Sequence, residues 1–169
     1  MRRSTMNACA LIGCRSQNLP YRNDERDSRC EQLKQKLFCE ILRMTREGVN
    51  VFMSGMARGV DLWAAEAVLQ IQNVKPSQKI ELWAIVPYDR QPLAWSAKEC
   101  ARYRRILEQA AHVEYISHDY YNGCLQKRNR FMVDHATHLL AVYDGQPGGT
   151  ASTIRYARKK GLEITIIEP

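Results

Sequence analysis

The chain lacks the short signatures that usually reveal an enzyme. No G-x-G-x-x-G follows the first apolar run, and no G-x-x-x-x-G-K-[ST] occurs anywhere. Dinucleotide-dehydrogenase and P-loop readings are therefore poor. No G-x-S-x-G elbow is present, and no Ser/His/Asp arrangement can be assembled from the sequence. Six cysteines (Cys9, Cys14, Cys30, Cys39, Cys100 and Cys124) contain no C-x-x-C pair. They read as reduced, packed thiols of a cytoplasmic protein, and no metal site is expected. His135 and His138 have no cysteine or carboxylate partners at metal-ligand spacing. No apolar run approaches the ~20 residues that span a bilayer, so no membrane partner is expected. There is no internal repeat, low-complexity tract or linker, and residues 1–169 are expected to form one domain.

Met1, Arg2 and Arg3 followed by Ala8-Cys-Ala-Leu-Ile-Gly-Cys14 superficially resemble a lipoprotein signal. The apolar part is shorter than most signal cores and begins beside Asn7. The same residues serve as a buried first strand, which is the expectation adopted. The net charge of +7 favours an anionic partner without naming it. Arg155, Arg158, Lys159 and Lys160 fall in the last turns of a predicted helix, where cations offset the helix dipole. That placement weakens a nucleic-acid reading based on charge alone.

Apolar patterning then gives the elements. Strands are predicted at 7–13, 49–53, 80–86, 112–116, 138–143 and 163–167, the first as a short unbroken apolar run of the kind buried in parallel sheets. Between them lie helices at about 26–47 and 59–72, one after the capping pair Ser96 and Glu99, one after Gly123, and one running to Lys160. Cys30, Leu33, Leu37, Ile41 and Met44 make the first helix amphipathic. Alternating strands and helices argue for an α/β fold, a Rossmann-like three-layer sandwich. Its mostly parallel sheet of about six strands would carry helices on both faces. Parallel strands put every strand-to-helix loop at one edge of the sheet. Gly13 to Ser16, Ser54 to Asp61, Pro87-Tyr88 and Asp144 to Thr150 are thus brought to a common edge. The two prolines of residues 87–92 suggest a lid there.

Two of these loops carry glycine at a helix start. Val51-Phe-Met-Ser-Gly-Met-Ala-Arg-Gly-Val-Asp61 reads as strand, glycine turn and helix; Pro147-Gly-Gly-Thr150 opens another helix. Glycine lets backbone approach a ligand, and the unpaired N–H groups of a helix start suit an anion. Lys127, Arg128 and Arg130 lie in the first half of the helix after Gly123. There the nearby dipole disfavours cations unless an anion is close. Asn129, a poor helix former, hints at a side-chain hydrogen bond. Asp134 and Asp144 either take ribose hydroxyls or pair with Arg130.

Ser54-Gly-Met-Ala-Arg-Gly-Val-Asp61 resembles the S-G-x-A-x-G-x-D turn of the SLOG superfamily, which includes DprA and the Lonely Guy proteins. Lys127-Arg-Asn-Arg-Phe-Met-Val-Asp134, with Leu140-Ala-Val-Tyr-Asp-Gly-Gln-Pro-Gly-Gly-Thr150, is similar to its YpsA-like branch. The resemblance runs over nearly the whole chain. It implies a Rossmann-like fold that holds a nucleotide or ADP-ribose-like ligand at the glycine edge. One departure matters: Lonely Guy hydrolases carry P-G-G-x-G-T-x-x-E with a catalytic glutamate, and Arg155 stands at that position here. A cation cannot do the glutamate's work, so phosphoribohydrolase activity is put in doubt.

The resulting expectation is a nucleotide-binding or nucleotide-sensing protein. Gly55, Gly59, Gly148 and Gly149 would give backbone donors to phosphate, with Met56 and Ala57 in the same turn. Ser54 and Thr150 would add hydroxyls, and Arg130 and Asn129 would complete the polar set. Arg15, beside Gly13, would close over the ligand, and Tyr88 would either stack on a base or pack at the surface. The first alternative is a nucleotide N-glycosidase drawing a carboxylate from Asp61, Asp134 or Asp144. The second is a single-stranded nucleic-acid binder, unfavoured. The cofactor is unknown, and self-association into a homo-oligomer stays open.

Overall fold

The computed structural model describes residues 6–169; Met1, Arg2 and Arg3, the basic start of the signal-like segment, lie outside the described residues. The strands are β1 (Ala8–Gly13), β2 (Val51–Ser54), β3 (Glu81–Val86), β4 (His112–Tyr115), β5 (His138–Val142) and β6 (Glu163–Ile167). The helices are α1 (Ser28–Arg46), α2 (Val60–Val74), α3 (Ala97–Gln109), α4 (Cys124–Asp134) and α5 (Gly149–Lys159). All six strands pair in parallel in the order β4-β3-β2-β1-β5-β6. The α/β Rossmann-like expectation is therefore met.

The period-two alternation of β1 divides the core. Cys9 and Leu11 point to the side covered by α1, α2 and α3, with Leu33, Leu37, Ile41, Phe52 and Leu82. Ala8, Ala10 and Ile12 point to the side of α4 and α5, with Met53, Met132, Val133 and Ile154. Helix α2 is buried almost all round because it lies between α1, α3 and the sheet. Asp27 caps α1 by accepting the Arg29 N–H at 2.9 Å, and the Ser96 hydroxyl accepts the Glu99 N–H at 3.3 Å to start α3. Among the described residues no helix is long and apolar enough to cross a membrane.

The helices on the first face are tied by a polar knot at their outer side. Arg102 of α3 holds Glu66 of α2 through two hydrogen bonds of 2.5 and 2.6 Å, and also binds Glu25. Glu25 further receives Lys34 at 2.9 Å and the Trp63 indole N–H at 2.6 Å. Burial by itself would raise the Glu25 carboxyl, but these donors outweigh it and hold it at about 2, below its ordinary 4.5. A carboxyl lowered in the fold contributes stability that is complete above its unfolded value and is lost as pH falls towards 2. Glu25→Gln should cost about 1 kcal/mol at pH 7, a modest figure because the partners are partly exposed and screened. The gap in urea midpoint between variant and wild type should close as pH falls from 4.5 towards 2; a gap independent of pH would refute the assignment.

Candidate functional site

Strands β1 and β5 are neighbours, but the chain leaves β1 towards β2 and leaves β5 towards β6, on opposite sides. The loops beyond their C-terminal ends therefore diverge, and ligands of such sheets bind in the gap. A cleft of about 890 Å³ opens there, within the ~300–1,000 Å³ typical of small-molecule sites. Its floor is the end of β1, Ile12 to Cys14. One wall is the Asp144–Thr150 loop. The other wall carries Tyr88, Gln91 and Trp95, with Tyr120 and Leu125 at the rim.

Of the residues expected from sequence, Gly13, Arg15, Ala57, Asp61, Tyr88, Asn129, Asp144, Gly148, Gly149 and Thr150 line this cleft. Ser54, Gly55, Met56, Gly59 and Arg130 are not among its lining. The first glycine turn explains most of that difference. Ser54 and Met56 are fully buried. The Ser54 hydroxyl donates to the Asp61 carbonyl at 2.8 Å and accepts the Met56 N–H at 3.2 Å. The Ala57 N–H goes to the Asp61 carboxylate at 3.2 Å. The Met56 and Ala57 N–H groups are thus taken up by the turn's own Ser54 and Asp61. The turn already contains its anion.

Its glycines serve close packing. A Cβ on Gly55 would lie 2.3 Å from the Arg128 guanidinium, and one on Gly13 would lie 2.4 Å from Val60. Gly59 has a φ of 90° and abuts Ser16, so both conformation and space demand glycine. Gln91 donates to the Met56 carbonyl at 2.8 Å from a buried position. That bond ties Gln91 of the segment expected as a lid to the first glycine turn.

Arg128 is the cation that sequence reasoning passed over in favour of Arg130. It is buried and donates to the Gly55 carbonyl, with the Asp61 carboxylate at 4.0 Å. Burial lowers its pKa, opposed by Asp61. Burial likewise pushes the Asp61 carboxyl up, against the pull of Arg128 and the Ala57 N–H. Helical spacing held the signal: Arg128 lies four residues from both Cys124 and Met132, on the buried face of α4. Arg130 is two positions round the helix and sits over the Tyr156 ring at 5.3 Å, away from the cleft. Asp134 does not pair with Arg130 either, since it accepts the Tyr156 hydroxyl at 2.7 Å and holds Lys160 at 3.5 Å.

The second glycine turn is built differently. Asp144 accepts the Gln146 N–H at 3.0 Å and shapes the loop. Gly148 is the N-cap of α5, with φ 151° and no side-chain cap, and Gly149 is the first helical residue. A Cβ at either would meet nothing within 4 Å, so this helix start opens onto free space. Its first N–H groups have no partner within the helix. The expected Asn129 hydrogen bond is there: Asn129 accepts from the Arg128 Nε at 2.8 Å and donates to Thr153 at 3.0 Å. Thr153 in turn donates to the Gly149 carbonyl at 2.8 Å. A chain of hydrogen bonds therefore runs beneath the cleft from Gly55 to Gly149. Cys14 lines the cleft, its thiol pushed up to about 11 by burial and then by the nearby Asp144 and Asp61 carboxylates. Among the described residues no group of three His, Cys, Asp or Glu side chains is placed to hold a metal.

Fold and cleft together define a doubly wound α/β protein with a ligand-sized opening at its topological switch point. The chain belongs to the YpsA family: the model described as the YspA SLOG family matches residues 9–168. A UPF0398 protein of Halalkalibacterium halodurans is 32% identical over 137 residues, 77% of this chain and 71% of that one. Another, from Bacillus cereus, is 33% identical over 145 residues, 83% of this chain and 76% of the relative. Among solved structures, DNA processing protein A from Helicobacter pylori aligns over 96% of this chain with a TM-score of 0.66 at 19% identity. The Streptococcus pneumoniae protein of that name aligns over 98% with a TM-score of 0.62 at 16% identity. This chain spans 66% and 52% of those two solved chains, and the likeness is one of fold.

Replacing Arg128 by Met would leave the Asp61 carboxylate buried without its counter-ion. Chemical denaturation should show a loss of about 3–5 kcal/mol. Adding Asp61→Asn should recover part of it, because the uncompensated charge is gone. A single-variant loss under about 1 kcal/mol would show that the pair carries little of the fold.

Proposed function

We propose that the protein binds a nucleotide-type ligand, of mononucleotide to ADP-ribose size, in the switch-point cleft. Phosphate sits at the open first turn of α5, on the Gly149 and Thr150 N–H groups and the Thr150 hydroxyl. Arg15, exposed on the opposite loop, closes the charge from the far side. The base lies towards Tyr88 and Tyr120, whose rings meet edge-on with centroids 5.3 Å apart, and towards Trp95. The observation that carries this reading is the pairing, in one cleft of nucleotide size, of an unfilled glycine helix start with an aromatic wall. The Helicobacter neighbour's described single-stranded DNA binding, on the same fold, concerns a polymer of the same chemical units and agrees with it.

Gly149→Val is the direct test, since a Cβ at this position meets nothing within 4 Å and the branched side chain projects where the anion would rest. Against a panel of nucleoside monophosphates, NAD and ADP-ribose, calorimetry should show binding to wild type and at least ~10-fold weaker binding to the variant. The variant's own melting temperature should hardly move. Undiminished affinity in the variant would remove the α5 turn from the site. Release of free base from the same mixtures would turn the reading towards a glycosidase. Salt-steep binding of an oligonucleotide that mononucleotides cannot displace would turn it towards nucleic acid.

A further inference from the structure

Beyond the rim of the cleft, a groove of about 170 Å³ lies between α4 and α5. Gly149 belongs to both openings. The groove carries Arg130, Arg155 and Lys159, with Ser152 and Gln126 between them, and no carboxylate lines it. Some basic side chains are neutralised locally, Lys160 by Asp134, Arg58 by Glu99, Arg43 by Glu40 and Glu47; what sets this groove apart is that three cations converge on it with no carboxylate in its lining. Among the described residues Arg130, Arg155 and Lys159 have no ion-pair partner, although all three gather at one depression. The groove's back is fixed. The Tyr156 hydroxyl is held by Asp134, and the ring carries Arg130 on it at 5.3 Å, so that guanidinium is oriented rather than free. Dipole compensation accounts for basic residues in the last turn of α5, Arg158 and Lys159. It does not account for Arg130 on α4, nor for Arg155, which sequence reasoning grouped with the helix-end cations but which lies ahead of the last turn of α5.

We infer that the α4/α5 groove is a second anion subsite, which takes another phosphate of the ligand whose first phosphate rests at Gly149. The inference rests on the nucleotide reading of the cleft and narrows it to ligands with two separated phosphate groups. Arg155 lies less than two turns beyond Gly149, about 9 Å of helix rise. Helical side chains lean towards the N-terminus, which brings its guanidinium back towards the shared glycine. A planar guanidinium offers paired N–H donors to a phosphate, and two of the three cations are arginines. The cleft houses the nucleoside and the first phosphate, while the groove continues the path along α5.

The probes are the four nucleoside 5′-monophosphates and the matching nucleoside 3′,5′-bisphosphates, titrated at physiological salt so that long-range attraction is screened. Wild type should bind a bisphosphate at least ~10-fold tighter than its monophosphate. Arg155→Gln with Lys159→Gln, both exposed positions, should erase that preference and leave monophosphate affinity within about twofold. Gly149→Val should weaken both classes. Equal affinity of wild type for the two classes, or a preference that survives the double substitution, overturns the second subsite and leaves the nucleotide reading standing. Binding of neither class overturns both.

Discussion

A guanidinium inside the protein sets much of the rest. Arg128 is drawn from α4 into the interior, where the Gly55 carbonyl and the Asp61 carboxylate receive it. An arginine stays ionised even when burial lowers its pKa, so the fold must supply compensation, and that need dictates its neighbours. A Cβ at residue 55 would lie 2.3 Å from the guanidinium and force it to move. Residue 61 must carry the opposite charge. Through Asn129 and Thr153 the same side chain reaches the Gly149 carbonyl. The positions of α2, α4 and α5 around the cleft are thus fixed relative to one another by polar contacts, on top of the apolar packing that holds each to the sheet.

The two glycine turns look alike as strings of letters and differ as objects. In the first, Asp61 and Ser54 absorb the amide hydrogens and glycine serves close packing. In the second, Asp144 only shapes the approach, and the helix start is left open. Of the two turns, the second has its helix start open towards the cleft. The cleft depends on a single open helix start, and the other turn supplies a rigid, internally neutralised wall.

How much was legible follows from which physics is local. The first and third strands came from continuous or nearly continuous apolar runs, and β6 agrees at both ends with the predicted 163–167. The buried face of α1 is the one its three- and four-residue spacing indicates. The cleft's location followed from parallel topology, since loops after parallel strands share an edge. Side-chain pairing was less accessible. Choosing Arg130 over Arg128 weighed charge against the helix dipole and neglected that Cys124, Arg128 and Met132 share one stripe. Gln91 anchoring the Met56 carbonyl across 35 positions has no local signature. Nor could a string of residues reveal that Asp61 turns back on its own loop, because that depends on how β2 and α2 are angled.

That internal carboxylate has an effect on solution behaviour. Being tethered four residues from the amide it accepts, it acts at an effective concentration of the kind short covalent links provide, commonly millimolar or more. Chloride, sulfate or free phosphate in the surrounding medium must compete with a partner that never diffuses away. The first turn consequently keeps the same occupant when the composition of the medium changes. The neighbouring helix start carries no such built-in competitor, because Gly148 caps it without a side chain.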